Sequence, residues 1–327
     1  MRAVLWFFAL LTFLAIWGLA CGDRGSQEAT PSNLAQPTAV ARASLGCSRM
    51  DDALYRGAGS SQALSLQVDG IERQFFLYIP AQASRQEPIP LVYNFHGLGS
   101  NAKEQELYSQ LLPVAAKERF IVVSPEGLGP VKGWRLPGLS GLAVDDPYRD
   151  VRFFDALHSY LVRSLCVDEA RVYATGMSNG AFFSSMLACL RPETLAAIAP
   201  VAGVFYPSDG GCKGEVPVIA FHGTQDQIVP FQPGLIFSFI LYEGAKEYVA
   251  RWAQLNGCQG EPLEERLGRE VVRLAYPGCE ASTQLVVIEG GGHTWPGSFP
   301  VPQLGYTTQE ISAAAMLWDF FAQHRRP

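Results

Sequence analysis

Alternating and continuous apolar segments divide the chain into predicted strands. Residues 63–69 alternate apolar and polar side chains, and Arg73–Ile79 does so after an Asp-Gly pair, which predicts an antiparallel hairpin. Six later segments are almost continuously apolar and are bounded by turn residues: Pro90–Phe95, Phe120–Ser124, Arg171–Thr175, Ala196–Val201, Val216–Phe221 and Leu285–Ile288. Continuous apolar strands indicate burial on both faces, which is typical of a parallel sheet covered by helices.

Helices are predicted between and after these strands. The first has apolar residues at helical spacing, and the four predicted helices are Asp150–Leu165, Asn179–Leu190, Glu243–Asn256 and Thr308–His324. Because strand and helix alternate, the pattern predicts a single α/β domain. We expect a mostly parallel central sheet, an N-terminal antiparallel hairpin and helices on both faces.

The N-terminal segment predicts export. Arg2 precedes the apolar run Val4–Ala20, so residues 1–20 are interpreted as a signal peptide. Cys21 follows Gly-Leu-Ala, which resembles a bacterial lipoprotein cleavage site with its leucine displaced by one position. Lipid attachment at Cys21, ordinary cleavage and an uncleaved anchor all stay open. Residues 21–46 are rich in Ser, Thr, Pro, Ala and Gln, and we interpret them as a flexible tether before a catalytic domain over 47–327.

Six cysteines after Cys21 suggest up to three disulfides in an exported protein. Of the 15 ways to pair six cysteines, the sequence selects none. We expect Cys258 to pair with Cys279, the closest two in the last third. Zinc is the alternative, but neither C-x-x-C nor H-x-x-x-H spacing occurs.

Composition and charge exclude some classes. Apolar residues make up 48% of the chain, which supports a sizeable core, and the formal net charge is −6 without a basic face. Nucleic-acid binding is therefore not expected. We also expect no metal or nucleotide cofactor, because no phosphate-binding loop or dinucleotide glycine pattern is present.

The strongest chemical signal is Gly176-Met177-Ser178-Asn179-Gly180, between a predicted strand and a predicted helix. This is the context of a nucleophile elbow, in which small flanking residues permit a sharp turn that exposes the serine. Ser178 is therefore the expected nucleophile.

The general base and its acid are expected after later strands, in the order Ser, Asp, His. His293 lies in a glycine-rich segment after the last strand and is the candidate base. Asp226 follows the strand Val216–Phe221 and is preferred to Asp209, which lies in an ordinary Ser-Asp-Gly-Gly turn. For the oxyanion we expect the backbone N–H groups of Asn179 and Leu98, with Gly97 as the alternative to Leu98.

Substrate contacts are predicted less directly. Trp295, Trp134 and His96 are the candidates, because they lie near the base, in a long loop and at a strand end. Core packing is the alternative for both tryptophans. The apolar segment Phe231–Tyr242 forms either a lip that binds an apolar substrate or a buried loop.

Several motifs together resemble one family. They are His96-Gly97, Val144-Asp145-Asp146, Arg171-Val172-Tyr173, Gly176–Gly180, His222-Gly223-Thr224 with Asp226, and Gly291–Gly297. They are similar to the secreted polyhydroxybutyrate depolymerase and feruloyl esterase group of α/β-hydrolases, related to carbohydrate esterase family 1. The resemblance implies a catalytic triad of Ser178, Asp226 and His293, and a disulfide before the histidine loop that fits Cys258–Cys279. One departure is the three-residue separation of Asp145-Asp146 from Asp150-Val151.

We therefore expect an exported serine ester hydrolase that acts on feruloyl or acetyl esters of plant polysaccharide, or on polyhydroxyalkanoate. Because no polymer-binding segment follows the catalytic region, small or soluble esters are slightly favoured. A serine peptidase and a non-catalytic surface binding protein are the alternatives.

Overall fold

The computed structural model describes residues 40–48, 53–136, 146–207 and 211–327. The predicted signal peptide, Cys21, most of the predicted tether and Asp209 lie outside these residues. None of the helices in the described ranges combines the length and apolar character that a membrane crossing requires.

The helices and strands follow the predicted alternation. The strands are β1 Ser61–Val68, β2 Ile71–Tyr78, β3 Ile89–Phe95, β4 Ile121–Pro125, β5 Val167–Met177, β6 Ala197–Val201, β7 Val218–Gly223, β8 Gly234–Ile236, β9 Ile240–Tyr242, β10 Leu263–Arg266, β11 Val271–Ala275 and β12 Thr283–Ile288. The helices are α1 Ala102–Ser109, α2 Leu111–Glu118, α3 Arg149–Ser164, α4 Asn179–Leu190, α5 Ala245–Leu255 and α6 Ala313–Phe321. Short 3-10 helices cover Leu45–Ser48, Leu54–Gly57 and Pro302–Leu304.

Within the described residues, ten strands form one sheet in the order β1-β2-β4-β3-β5-β6-β7-β12-β11-β10. The six strands from β4 to β12 run parallel to one another. The β1–β2 hairpin joins antiparallel at one end, as predicted, and β11 and β10 join antiparallel at the other. The sequence analysis missed β10 and β11, as well as the separate β8–β9 hairpin.

Both faces of the parallel strands are buried, which confirms the interpretation of their continuous apolar sequence. In β3, Leu91 and Tyr93 belong to one apolar cluster, and Val92 belongs to the other. Residues of α3, α4 and α5 complete the first cluster, whereas residues of α2 and α6 complete the second. The central sheet therefore lies between two layers of helices.

Helix ends differ from the predictions where local capping decides them. Helix α4 has the predicted bounds, but α6 begins at Ala313 rather than Thr308. Its start is set by Ser312, whose hydroxyl accepts a hydrogen bond from the N–H of Ala315 at 3.3 Å. Helix α1 was not predicted because it is mostly polar; Asn101 caps it by accepting from the N–H of Glu104 at 2.9 Å.

The folded unit begins before the predicted boundary. It spans Ala41–Pro327, so residues 41–46 of the expected tether belong to it. The N–H of Ser44 donates to the carbonyl of Val167 at 2.9 Å, and this backbone pairing fixes the segment on β5. The disulfides are Cys47–Cys166, Cys189–Cys212 and Cys258–Cys279, and the last is the predicted pair.

Candidate active site

Ser178 occupies a strained turn between β5 and α4. Its φ is 56° and its ψ is −122°, a left-handed conformation that non-glycine residues rarely adopt. A Cβ on Gly176 would lie 2.6 Å from the carbonyl oxygen of Phe95, and a Cβ on Gly180 would overlap the same oxygen. Glycine at both positions therefore lets the turn pass this close to β3, as a nucleophile elbow requires.

His293 and Asp226 form a buried pair. The Nδ1 atom of His293 lies 2.7 Å from Oδ2 of Asp226. The other carboxylate oxygen, Oδ1, accepts hydrogen bonds from the N–H groups of Ile228 and Val229, both at 2.9 Å. The Asp226 carboxylate is thus held by its own loop through one oxygen and contacts the imidazole of His293 through the other.

The loops that carry this pair approach each other through their backbones. Gly223 ends β7, and a Cβ there would overlap the carbonyl of Gly291. The N–H of Gln225 donates to the same Gly291 carbonyl at 2.8 Å. Glycine at both positions therefore lets the aspartate loop and the histidine loop meet at the carboxyl edge of the sheet.

Ser178 and His293 line one cleft of about 610 Å³. Its walls are mainly apolar and come from Leu98, Leu107, Tyr108, Val131, Met177, Ile228, Phe237, Phe299, Val301 and Leu304. The polar contribution to the walls includes Ser100, Glu104 and Gln105. A cleft of this size and character suits an uncharged organic ligand.

Behind the predicted oxyanion loop, His96 has a fixed protonation pattern. Its Nε2 accepts from the N–H of Gly127 at 2.9 Å, so Nδ1 carries the proton and donates to the carbonyl of Gly97 at 2.7 Å. Burial lowers the pKa of His96, which also favours the neutral ring. Leu98 lines the cleft, and the next amide, that of Gly99, donates to the carbonyl of Lys132 at 2.7 Å.

Trp134 connects this loop to the first residue of α4. Its Nε1 donates to the carbonyl of His96 at 2.9 Å. Its backbone N–H donates to Oδ1 of Asn179 at 2.6 Å, and Nδ2 of Asn179 donates back to its carbonyl at 3.1 Å. The indole also stacks on Phe183, with ring centroids 5.0 Å apart. The hydrogen bonds of Trp134 therefore join the loop that carries Leu98 to the side chain of Asn179.

The three predicted substrate contacts need correction. Trp134 and His96 are buried and do not line the cleft; they hold the surrounding loops instead. Trp295 is 1% exposed and packs in the second apolar cluster, while its backbone N–H donates to Oη of Tyr108 at 3.4 Å. Its ring is therefore part of the core, the alternative considered for it.

His222 supports the acid loop. It is buried, its Nε2 lies 2.9 Å from the carbonyl of Val229, and burial lowers its pKa. The same nitrogen is 3.5 Å from Oδ2 of Asp226. Nε2 of His222 must carry a proton in order to donate to the Val229 carbonyl. Through this hydrogen bond the neutral His222 ring fixes the turn that holds the Asp226 carboxylate.

Several cleft residues were missed by the sequence analysis. Leu107 and Tyr108 lie on the unpredicted helix α1, so no sequence signal placed them. Phe299 could have been found, because it follows His293 by six positions in the same long loop. Phe237 belongs to the predicted lip, and the structure places it in the cleft wall.

This arrangement defines the class: the chain is an α/β-hydrolase in which the Ser178 turn and the His293–Asp226 pair meet one cleft. Residues 73–228 match the family described as Esterase PHB depolymerase. The chain is 31% identical over 234 residues to feruloyl esterase B of Piromyces equi, covering 68% of this chain but only 42% of that relative. It is 27% identical over 300 residues to feruloyl esterase D of Neurospora crassa, covering 87% of this chain and 92% of that relative.

Among solved structures, an acetyl xylan esterase from Aspergillus awamori has the same fold. Its TM-score is 0.59 at 17% identity, with 80% of this chain and 100% of that chain covered. The chain belongs to the polyhydroxybutyrate depolymerase and feruloyl esterase group and is a carboxylic ester hydrolase.

Proposed function

We propose that the protein hydrolyses uncharged carboxylic esters through an acyl-enzyme formed on Ser178. The observation that carries this proposal is the His293–Asp226 pair, which shares one apolar cleft with a serine in a strained elbow. In this proposal Ser178 is the nucleophile, His293 is the general base, and the buried Asp226 carboxylate orients the imidazole and stabilises the imidazolium.

In the first half-reaction, Oγ of Ser178 attacks the ester carbonyl carbon while Nε2 of His293 takes the hydroxyl proton. The carbon–oxygen bond to the alcohol then breaks, and His293 protonates the departing alkoxide. In the second half-reaction, water attacks the acyl-enzyme and gives a proton to Nε2. That proton returns to Ser178 as the carboxylic acid leaves.

Negative charge on the tetrahedral oxygen requires donors that are already in place. We assign the backbone N–H groups of Asn179 and Leu98, with Gly97 as the alternative to Leu98. Losing one such donor typically costs about 3–4 kcal/mol of transition-state stabilisation. The hydrogen bonds of Trp134 to both loops support this assignment.

Two substrate classes fit the relatives and the cleft. The relatives are named feruloyl esterases, and the matching family is named for polyhydroxybutyrate depolymerase. Either an aryl acyl group on plant polysaccharide or a hydroxyalkanoate unit could fill an apolar cleft of about 610 Å³. We propose that the protein acts outside the cytoplasm, since three disulfides are typical of an oxidising compartment. Lipid attachment at Cys21, ordinary cleavage and an uncleaved anchor are the three alternatives for its N-terminal segment.

The test compares initial rates on methyl ferulate and on amorphous polyhydroxybutyrate for the exported protein and its Ser178→Ala variant. We expect turnover of at least one substrate by the wild type and none above background by the variant, with both proteins folded. Faster ferulate release would assign the plant-ester class, and faster release of 3-hydroxybutyrate would assign the polyester class. Peptide cleavage without ester turnover would instead favour a peptidase, and failure of Ser178 to react with a fluorophosphonate would favour a binding protein.

A further inference from the structure

The β8–β9 hairpin presents an apolar outer face beside the cleft. Its residues alternate: Ile236, Ile240 and Tyr242 are buried. The outward residues, which we call the hairpin face, are between 54% and 65% exposed: Leu235, Phe237, Phe239 and Leu241. Leu235 lies directly opposite Leu241 in the strand register, so the two share one side. The segment Phe231–Tyr242 contains no charged residue.

The turn of this hairpin is made by residues that do not favour it. Phe237 has a φ of 52° and Ser238 a φ of 66°. Two successive left-handed residues are typical of a tight hairpin turn, in which asparagine and glycine are strongly preferred. Phenylalanine at 237 therefore gives the turn no advantage over glycine, and its ring needs another explanation.

The cleft supplies that explanation. Phe237 lines the same cleft as Ser178 and His293, so the apolar surface runs from the reacting serine onto the hairpin face. Other exposed apolar residues lie around the same cleft: Leu98, Leu107, Val131 and Phe299. A concentration of exposed apolar side chains at one place marks a binding surface.

One kind of ligand fits an apolar surface that continues from the cleft onto the hairpin face. A protein partner or a second copy seated on the hairpin face would cover Phe237, which is part of the cleft wall. A substrate whose apolar group is longer than the cleft would instead enter it with its ester and leave the remainder of its chain on the hairpin face. The lack of charge over Phe231–Tyr242 requires that group to be uncharged.

We propose that Phe237 and Phe239 are specificity-determining residues that bind the distal part of a long, uncharged acyl chain. This inference rests on the proposed ester hydrolysis at Ser178 and adds a preference for esters of long acyl chains. Each methylene group buried on the hairpin face then raises kcat/KM by up to about fourfold.

The test measures kcat/KM for acetyl, butyryl, octanoyl and dodecanoyl esters of p-nitrophenol, and reports the ratio of dodecanoyl to acetyl. Phe237→Gly removes the ring and relaxes the left-handed backbone, and Phe239→Ser removes the neighbouring ring. We expect each to lower the ratio about tenfold, which is the effect of losing a partly buried aromatic contact. The melting temperature of Phe237→Gly should be unchanged or higher, because glycine suits its φ.

Two variants serve as controls. Ser238→Gly relaxes the adjacent turn position and keeps both rings, so the ratio should stay within about twofold of wild type. Leu263→Ser removes an exposed leucine of β10, at the end of the sheet, and should also leave the ratio unchanged. A fall in the ratio with Ser238→Gly as large as with Phe237→Gly would assign the effect to the backbone and overturn the proposal.

A binding measurement separates this inference from the proposed chemistry. Calorimetric titration of the Ser178→Ala protein with dodecanoate should give a dissociation constant that Phe237→Gly weakens about tenfold. If the wild-type protein hydrolyses none of the esters while dodecanoate binding to Ser178→Ala still depends on Phe237, the proposed function is refuted and the binding surface is retained. If neither the ratio nor the dissociation constant responds to Phe237 and Phe239, the hairpin face does not bind substrate.

Discussion

Replacing Trp134 by phenylalanine tests whether the loop behind the cleft positions the proposed oxyanion donors. The change removes the Nε1–H group that donates to the carbonyl of His96 at 2.9 Å, and it retains an aromatic ring against Phe183. Trp134 itself does not line the cleft, so a direct loss of substrate contact is not involved. Any effect on catalysis must therefore pass through the loop that carries Leu98.

The magnitude follows from the lost bond. Leaving a buried carbonyl without its donor costs about 1–3 kcal/mol of folding free energy. If the loop relaxes and the Leu98 N–H leaves its position, the loss in kcat is bounded by that of one oxyanion donor, about 10²–10³-fold. We expect a partial loss, about 10-fold to 100-fold in kcat, with KM within about threefold because the cleft wall is retained.

Trp252 offers a matched control. It is fully buried, and its Nε1 donates to the carbonyl of Phe205 at 2.8 Å, yet neither residue lines the cleft. Urea unfolding and steady-state kinetics on both variants separate stability from catalysis. Trp134→Phe and Trp252→Phe should lose similar folding free energy, and only the first should lose kcat. Equal kcat values in the two variants would refute the positioning role.

Three further predictions concern stability. Gly180→Ala should cost about 1–3 kcal/mol in urea unfolding, because its Cβ would overlap the carbonyl of Phe95; a neutral result would mean that the elbow is looser than described. Burial lowers the pKa of His158 from 6.5 to about 4. Between these two pH values the unfolded chain binds more protons than the folded chain, so the free energy of unfolding falls as the pH is lowered from 6.5 towards 4. The contribution of His158 to this fall is about 3 kcal/mol. His158→Gln should flatten that dependence in unfolding measured against pH, and an unchanged slope would contradict it. Replacing Cys47 and Cys166 together by alanine opens a crosslink between residues 119 apart and should lower the free energy of unfolding by about 4–5 kcal/mol; a loss below about 1 kcal/mol would contradict the loop-entropy argument.

The elements that hold Ser178 could be predicted because their requirements are local. A tight turn beside a strand needs glycine at 176 and 180, so the turn can be recognised from residue types. Strands that are covered on both faces need a continuous apolar sequence, which can be recognised in the same way. The prediction of Cys258–Cys279 also depended on nearby positions. Helix α1 could not be predicted in this way, because its side chains are mostly polar and its start is fixed by the single cap at Asn101.

The environment of the aromatic residues could not be predicted in the same way. Trp134 turns inward because its backbone pairs with Asn179, which is 45 positions away in the sequence. His96 ends a strand near the cleft, but its two nitrogens are used by Gly97 and Gly127. Residue type and position suggest substrate contact for both, whereas contacts distant in sequence determine which way each ring points.

Labelling with a p-nitrophenyl alkylphosphonate tests the central claim that Ser178 is activated by His293. We expect one equivalent of p-nitrophenol per chain, a single phosphonylated peptide containing Ser178, and loss of ester turnover in proportion to labelling. His293→Ala should slow labelling by at least about 10²-fold, since the base no longer accepts the hydroxyl proton. Labelling elsewhere with full turnover retained, or an unchanged rate in His293→Ala, would contradict the account.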